Sequence, residues 1–178
     1  MKKFISFIFA GALIYACSFL FVGCGRNETD VYLVLDKLCV YYSENSEHSS
    51  KYTLISGKNA PTGYVEWDAD KFGRLYTGLY EAPACFSLIS SYAVRLPSDE
   101  SGFEIHAVKC HNRSDTDEVA SLLQKRVKKI SSSEIKEYAP ESFEMYYAGS
   151  EIFVYRDTVY LLATPDNAAA KKLIRKYS

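Results

Sequence analysis

The chain has 178 residues, of which 48% are apolar and 24% charged, a composition typical of folded globular proteins and unlike that of disordered ones. Its 21 basic and 22 acidic residues give a formal net charge of −1, so the composition does not favour a nucleic-acid-binding protein. Length and composition together predict one folded domain that can bury a hydrophobic core.

The N-terminus has the layout of a secretory signal. Two lysines precede an uncharged apolar run over residues 4–22, and a Gly-Cys-Gly sequence follows. The sequence Phe-Val-Gly-Cys that ends at Cys24 resembles a bacterial lipobox, although Phe21 stands where that pattern prefers Leu. In a lipobox the cysteine sulfur receives a diacylglycerol before cleavage makes it the new N-terminus. The sequence therefore predicts a lipoprotein signal peptide over residues 1–23 and lipidation of Cys24.

Two alternatives to this reading of the N-terminus stay open. Cys17 could be the acylated residue, at the cost of a shorter apolar run, or the run could stay uncleaved, since about 20 apolar residues can span a bilayer. The basic start orients the segment with the rest of the chain outside the cytoplasm. Each buried methylene contributes about 0.8 kcal/mol, so two acyl chains hold a protein stably. We expect the extracytoplasmic face of a bacterial membrane, with that membrane as a partner.

Residues 24–30 predict a short polar tether, and residues 31–178 a single globular domain. After the proposed lipidation three cysteines remain: Cys39, Cys85 and Cys110. Three is an odd number, and no two of them are closely spaced, so a disulfide framework is not expected. One bridge between two of the three stays open as an alternative, but free cysteines are among the most buried residue types, which favours buried thiols.

The first half of the domain predicts short elements. Its apolar spacing and turn residues favour a helix over 31–42, a loop over 43–51, a strand over 52–55, a turn over 59–63 and a helix over 67–80 that begins near Asp68 or Asp70.

The second half has clearer patterns. Strands are predicted over 92–96, 103–110, 151–155 and 159–163, with an extended or turning connection over 138–141 and a final helix that begins with Thr164 and Pro165. A helix starting at Ser114 or Asp115, with Glu118 completing a capping box, has a buried stripe at Val119, Leu122, Leu123, Val127 and Ile130. The order strand, strand, helix therefore occurs twice. It predicts an α+β two-layer sandwich, in which an antiparallel sheet carries its helices on one face.

The chain resembles a family of bacterial lipoproteins that carry the domain of unknown function numbered 4358. The resemblance covers about residues 70–177 and depends on the segments 72–76, 104–108, 123–126 and 138–140 and on the hairpin 152–162. Glu104 and Arg126 match positions of that family's pattern, whereas His106 and Cys110 depart from it. The resemblance implies a lipid-anchored extracytoplasmic protein. It implies no activity and brings no catalytic residues.

Glu104, His106, Cys110 and His111 have the chemistry of metal ligands. On a strand, however, His106 and Cys110 would lie about 13 Å apart at about 3.3 Å per residue, so one ion could not bind both. Cys110 and His111, as neighbours, would point to opposite faces and could not form a nucleophile and base pair. We therefore expect no metal, no cofactor and no catalytic set, with His106 facing solvent and Cys110 packed.

Two further groups are candidate sites. Glu104 and Arg126 are expected to meet, either as a structural ion pair at the margin of helix and sheet or as a recognition spot. Trp67, Tyr146 and Tyr147 could form an aromatic contact surface, because such rings suit interfaces, or could be ordinary packing at the rim of the core. A lysine cluster on the 114–130 helix could contact anionic polymer or could be its solvated face.

The expected function is that of a non-enzymatic binding or accessory module of the cell envelope, with a protein or a cell-wall polymer as its partner. The alternative is a hydrolase of envelope glycan or peptidoglycan that uses carboxylates such as Glu104, Glu141 or Glu144.

Overall fold

The computed structural model describes residues 28–45, 51–98 and 102–178. The predicted signal peptide, Cys17 and Cys24 lie outside these residues. Within the described ranges, no helix combines the length and the apolar character needed to cross a membrane.

Six α-helices and six β-strands are present within the described residues. The helices are α1 (Val31–Asn45), α2 (Ala69–Thr77), α3 (Thr116–Ile130), α4 (Ser133–Tyr138), α5 (Pro140–Ser142) and α6 (Asn167–Tyr177). The strands are β1 (Tyr52–Ser56), β2 (Tyr64–Glu66), β3 (Ile89–Pro97), β4 (Glu104–Cys110), β5 (Glu151–Tyr155) and β6 (Thr158–Ala163).

All six strands belong to one sheet in the order β2-β1-β3-β4-β6-β5. Only the β1–β2 pair is parallel, and every other neighbouring pair is antiparallel. The predicted α+β class and antiparallel sheet are confirmed.

Helices cover both faces of this sheet. Arg126 of α3 contacts Glu104 of β4, whereas Lys171 of α6 contacts Glu151 of β5. Glu151 pairs with Leu162, and Leu162 pairs with Ile105, so these three side chains lie on one face of the sheet. Ile105 directly follows Glu104, so Glu104 and α3 lie on the opposite face. The prediction that α3 and α6 share one face is therefore corrected. Covering both faces explains why β4 and β6 are buried almost throughout.

Local side-chain chemistry fixes the helix starts, sometimes a few residues from the predicted place. Asp68 caps α2 as predicted by accepting a hydrogen bond from Lys71 N at 2.8 Å. The capping box before α3 is formed by Asn112 and Asp115 instead of Asp115 and Glu118, because a 3₁₀ turn precedes the helix. Asp166, rather than Thr164, caps α6.

The segment 138–141, predicted to be extended or to turn, turns between the end of α4 and the start of α5. Ala139 leaves the helical region with φ −133°, as a residue before proline tends to do. Pro140 then begins α5 at the first helical position, where its missing N–H costs nothing, and the turn Phe143–Tyr147 continues from it.

The predicted buried stripe of α3 is confirmed at all five positions. In α1, Leu33 and Val40 are 43% and 51% exposed, while Leu35 and Leu38 are fully buried. A run rich in apolar residues does not reveal which of them face the sheet.

Residues 28–30, which precede α1, pack against the domain. Glu28 lies 3.3 Å from Lys109 Nζ, Thr29 is buried, and Asp30 accepts a hydrogen bond from Tyr32 N at the start of α1. The described part of the predicted tether is therefore attached to the domain.

Cys39, Cys85 and Cys110 are free and buried, as predicted. Burial raises the pKa of Cys39 to about 11 and that of Cys110 to about 12, and it raises the pKa of Cys85 as well. These thiols are packing residues.

Candidate functional site

A chain of four polar side chains runs from α3 through β4 to α2. Arg126 donates from Nε and Nη2 to the two carboxylate oxygens of Glu104, each at 2.8 Å. Glu104 Oε1 lies 2.6 Å from His106 Nε2, and His106 Nδ1 lies 2.7 Å from the Tyr76 hydroxyl. Glu104 and His106 are fully buried, and only Arg126 keeps some exposure, with 18% of its side chain accessible. The predicted contact between Glu104 and Arg126 is thus present and extends further than expected.

The charges within this chain follow from its geometry. Burial by itself raises the pKa of Glu104, but Arg126 and His106 stabilise the carboxylate and bring its pKa to about 2. Burial lowers the pKa of His106, and the positive charge of Arg126 offsets part of the help that Glu104 gives to the protonated ring. We therefore assign a neutral imidazole that donates from Nε2 to Glu104 and accepts at Nδ1 from the Tyr76 hydroxyl.

This assignment predicts a loss of stability in mild acid. His106 has a folded pKa below its ordinary value of 6.5, so the unfolded chain binds more protons and stability falls as pH drops below about 6.5. The lowered pKa of Glu104 adds a second loss between about 4.5 and about 2. In denaturant unfolding measured from pH 7.5 to 5, the free energy of unfolding of His106→Gln should show a weaker pH dependence than that of the wild type. His111→Gln, a change at an exposed histidine, is the control and should keep the pH dependence of the wild type. An unchanged slope in His106→Gln would contradict the assignment.

A groove of about 450 Å³ opens beside the Arg126 end of the buried chain. Its lining comes from the start of α2, from the loop after α2 and from the last turns of α3, and consists of Trp67, Lys71, Arg74, Leu75, Tyr80, Arg126 and Lys129. Residues 71, 74 and 75 share one face of α2, and residues 126 and 129 share one face of α3, because three and four residues make about one helical turn. The volume lies within the range of about 300–1,000 Å³ that is usual for small-molecule sites.

The groove carries concentrated positive charge. Four of its side chains are cationic, and among the described residues no carboxylate lines it. Glu104 neutralises Arg126 from below, whereas Lys71, Arg74 and Lys129 form no ion pair within the described part of the chain. The arrangement is therefore suited to an anionic ligand.

A second cavity of about 870 Å³ lies at the opposite end of α3. Glu28, Thr29, Lys109 and Arg113 are among the residues that border it. It marks where the N-terminal segment reaches the domain.

The predicted aromatic site residues lie in different surroundings. Trp67 is half-buried and lines the groove, whereas Tyr146 and Tyr147 are buried and only 2% and 5% exposed. The Tyr147 hydroxyl donates to the Gly102 carbonyl at 2.9 Å, so these two tyrosines are packing residues and not an exposed contact surface. His106, predicted to face solvent, is buried because α2 covers it. In the described ranges no group of three or more His, Cys, Asp or Glu side chains is placed to hold a metal ion.

Sequence reasoning missed Tyr76 and the cationic residues of α2. The spacing of Lys71, Arg74 and Leu75 indicates a shared face, but only the packing of α2 against α3 brings that face to Lys129.

Comparison with protein-family models, with curated proteins and with solved structures found no match to this chain. The resemblance to the lipoproteins with domain of unknown function 4358 therefore stays a prediction.

Proposed function

We propose that the protein is a lipid-anchored extracytoplasmic binding module of the cell envelope, without enzymatic activity, that holds its ligand in the basic groove. The membrane part of the proposal comes from the sequence, through the leader that ends at Cys24. The binding part is supported by one observation above all: Lys71, Arg74 and Lys129 line a concave site and form no ion pair within the described part of the chain. Unpaired cations that share a concave surface attract an anionic partner.

The geometry weighs against the hydrolase alternative. A general acid must hold a proton near neutral pH, yet Arg126 keeps the pKa of Glu104 at about 2. Both oxygens of Glu104 are already bonded, and the side chain is fully buried. Glu144 is exposed and pairs with Lys136 at 3.3 Å. A binding role needs no change in the ion pair between Glu104 and Arg126, since this pair holds one wall of the groove in place.

The anchor has a direct test in the mass of the N-terminal peptide isolated from cells. The wild-type chain is expected to lack residues 1–23 and to carry diacylglycerol on Cys24. Cys24→Ser should keep the leader and carry no lipid, because no sulfur is present to acylate. Cys17→Ser, at the other cysteine of the leader, is the matched control and should be processed like the wild type. An intact starting methionine without fatty acid in wild-type protein recovered from cytosol would overturn the anchor.

A further inference from the structure

The cations of the groove differ in how they are held. Lys71, Arg74 and Lys129 are exposed side chains, whereas Glu104 fixes Arg126 through Nε and Nη2. That pairing leaves Nη1 as the guanidinium nitrogen that Glu104 does not use. Guanidinium groups bind phosphate and carboxylate through planar hydrogen bonds, and a guanidinium already held by packing loses little freedom when it does so. The groove thus combines one rigid donor with three mobile cations.

The groove also offers flat apolar surface. Trp67 and Tyr80 line it together with Leu75, and Tyr80 is 57% exposed. Aromatic rings with a polar edge present large contact area at low entropic cost, and they suit ligands that are apolar on one side and polar on the other. A sugar ring has this character, because its C–H groups form an apolar face and its hydroxyls a polar rim. Inorganic phosphate alone would use the cations and leave the rings uncovered.

The position of the groove favours a ligand away from the anchoring bilayer. Cys24 precedes Glu28 by four residues, which reach at most about 14 Å at about 3.5 Å per residue. Glu28 contacts Lys109 near the start of α3, whereas Arg126 and Lys129 lie in its last turns. The 15 residues of α3 separate these ends by about 20 Å at about 1.5 Å per residue. The groove is therefore at the end of α3 opposite to the chain segment that leads to the lipid.

We propose that the groove binds an anionic sugar, with Arg126, Arg74 and the two lysines holding a phosphate or carboxylate group while Trp67 and Tyr80 contact the sugar ring. This proposal rests on the binding function above and names its ligand class. A polymer of such sugars in the envelope would fit the same site one unit at a time.

Tryptophan fluorescence can report ligand binding in the groove, because Trp67 lines it and is the only tryptophan of the chain. The full-length protein in nonionic detergent can be titrated with glucose 6-phosphate, glucuronate, glucose and inorganic phosphate while Trp67 fluorescence is recorded. We expect a saturable change with one or both anionic sugars and at least tenfold weaker binding of glucose and of phosphate. Comparison of the first two probes separates phosphate from carboxylate as the recognised group.

Two variants and a matched control locate the site. Arg74→Gln and Lys129→Gln should each weaken binding of the anionic sugar by roughly tenfold, since each removes one charge-assisted contact. Lys128→Gln removes the same charge from the neighbouring position of α3, which is exposed and does not line the groove, and should leave affinity unchanged. Equal loss in all three variants would indicate a general charge effect and would overturn the site.

Three other outcomes would also overturn the inference. They are no Trp67 response to either anionic sugar, phosphate binding as tight as that of the better-bound anionic sugar, and a Trp67 response to phosphatidylglycerol vesicles alone. Retention of the full-length protein on cell wall freed of membrane separates this failure from failure of the binding function, because the lipid anchor has no bilayer to enter there. Retention that persists in Arg74→Gln and Lys129→Gln overturns the sugar site and leaves a binding module. Absence of both retention and a Trp67 response overturns both proposals.

Discussion

Glu104→Gln is expected to lower the free energy of unfolding by about 3 kcal/mol, because removal of one partner of a buried ion pair leaves the other charge uncompensated. The substitution keeps the size of the side chain but turns an N–H group toward Arg126, whose Nη2 now bonds to Glu104 Oε2. Arg126 is mostly buried, so water cannot fully replace the carboxylate. Denaturant unfolding at pH 7 measures the loss.

Two further variants show whether the loss of stability is specific to the buried ion pair. Glu137→Gln changes an exposed glutamate that forms no ion pair in the described part of the chain, and its effect should stay within about 0.5 kcal/mol. Glu104→Gln combined with Arg126→Met should lose less than the sum of the single changes, because the uncompensated charge is gone. Additive losses, or a Glu104→Gln protein as stable as the wild type, would show that the pair does not support the fold.

Gly73→Ala is expected to destabilise the domain by about 3 kcal/mol, even though alanine favours a helix over glycine by about 1 kcal/mol. A Cβ at position 73 would lie 1.9 Å from the Glu81 carbonyl oxygen and 2.9 Å from Pro83 Cδ. The first contact is with backbone, so α2 or the segment after it has to move. Steric overlap outweighs helix propensity here.

The displaced elements hold the groove, since α2 carries Arg74 and the following loop carries Tyr80. Gly73→Ala should therefore weaken the binding measured by Trp67 fluorescence as well as lower the unfolding midpoint. Gly149→Ala is the matched control, because a Cβ there meets nothing within 4 Å, and it should be neutral or slightly stabilising. A Gly73→Ala protein that is as stable as Gly149→Ala would contradict the close packing of α2 on this loop.

Patterns confined to one element were predictable from the sequence. The buried stripe of α3 repeats every three or four residues, and the Asp68 cap precedes its helix directly, so each is visible in a short window. Helix starts were less predictable, since Asn112 and Asp166 form the caps in place of the predicted Asp115 and Thr164. The choice of face for α6 depends on how the sheet is ordered, which no single window contains.

The site depends on contacts between distant segments. Tyr76 and His106 are 30 residues apart, and their bond forms only once α2 has covered β4. The unusual tyrosine content suggested a contact surface, yet several hydroxyls donate instead to backbone carbonyls, as Tyr42 does to Asp166 at 2.6 Å and Tyr92 to Trp67 at 2.7 Å. Composition reveals that tyrosines are frequent, but not that they fasten loops to the core.

The three buried thiols determine how the domain responds to an oxidising environment, such as the location outside the cytoplasm that we propose. Disulfide exchange and oxidation begin from the thiolate, and burial keeps Cys39, Cys85 and Cys110 in the protonated form. Once folded, these residues neither compete for wrong partners nor respond to the redox state of their surroundings. The described domain contains no disulfide, so its folding requires neither an oxidase nor a disulfide isomerase.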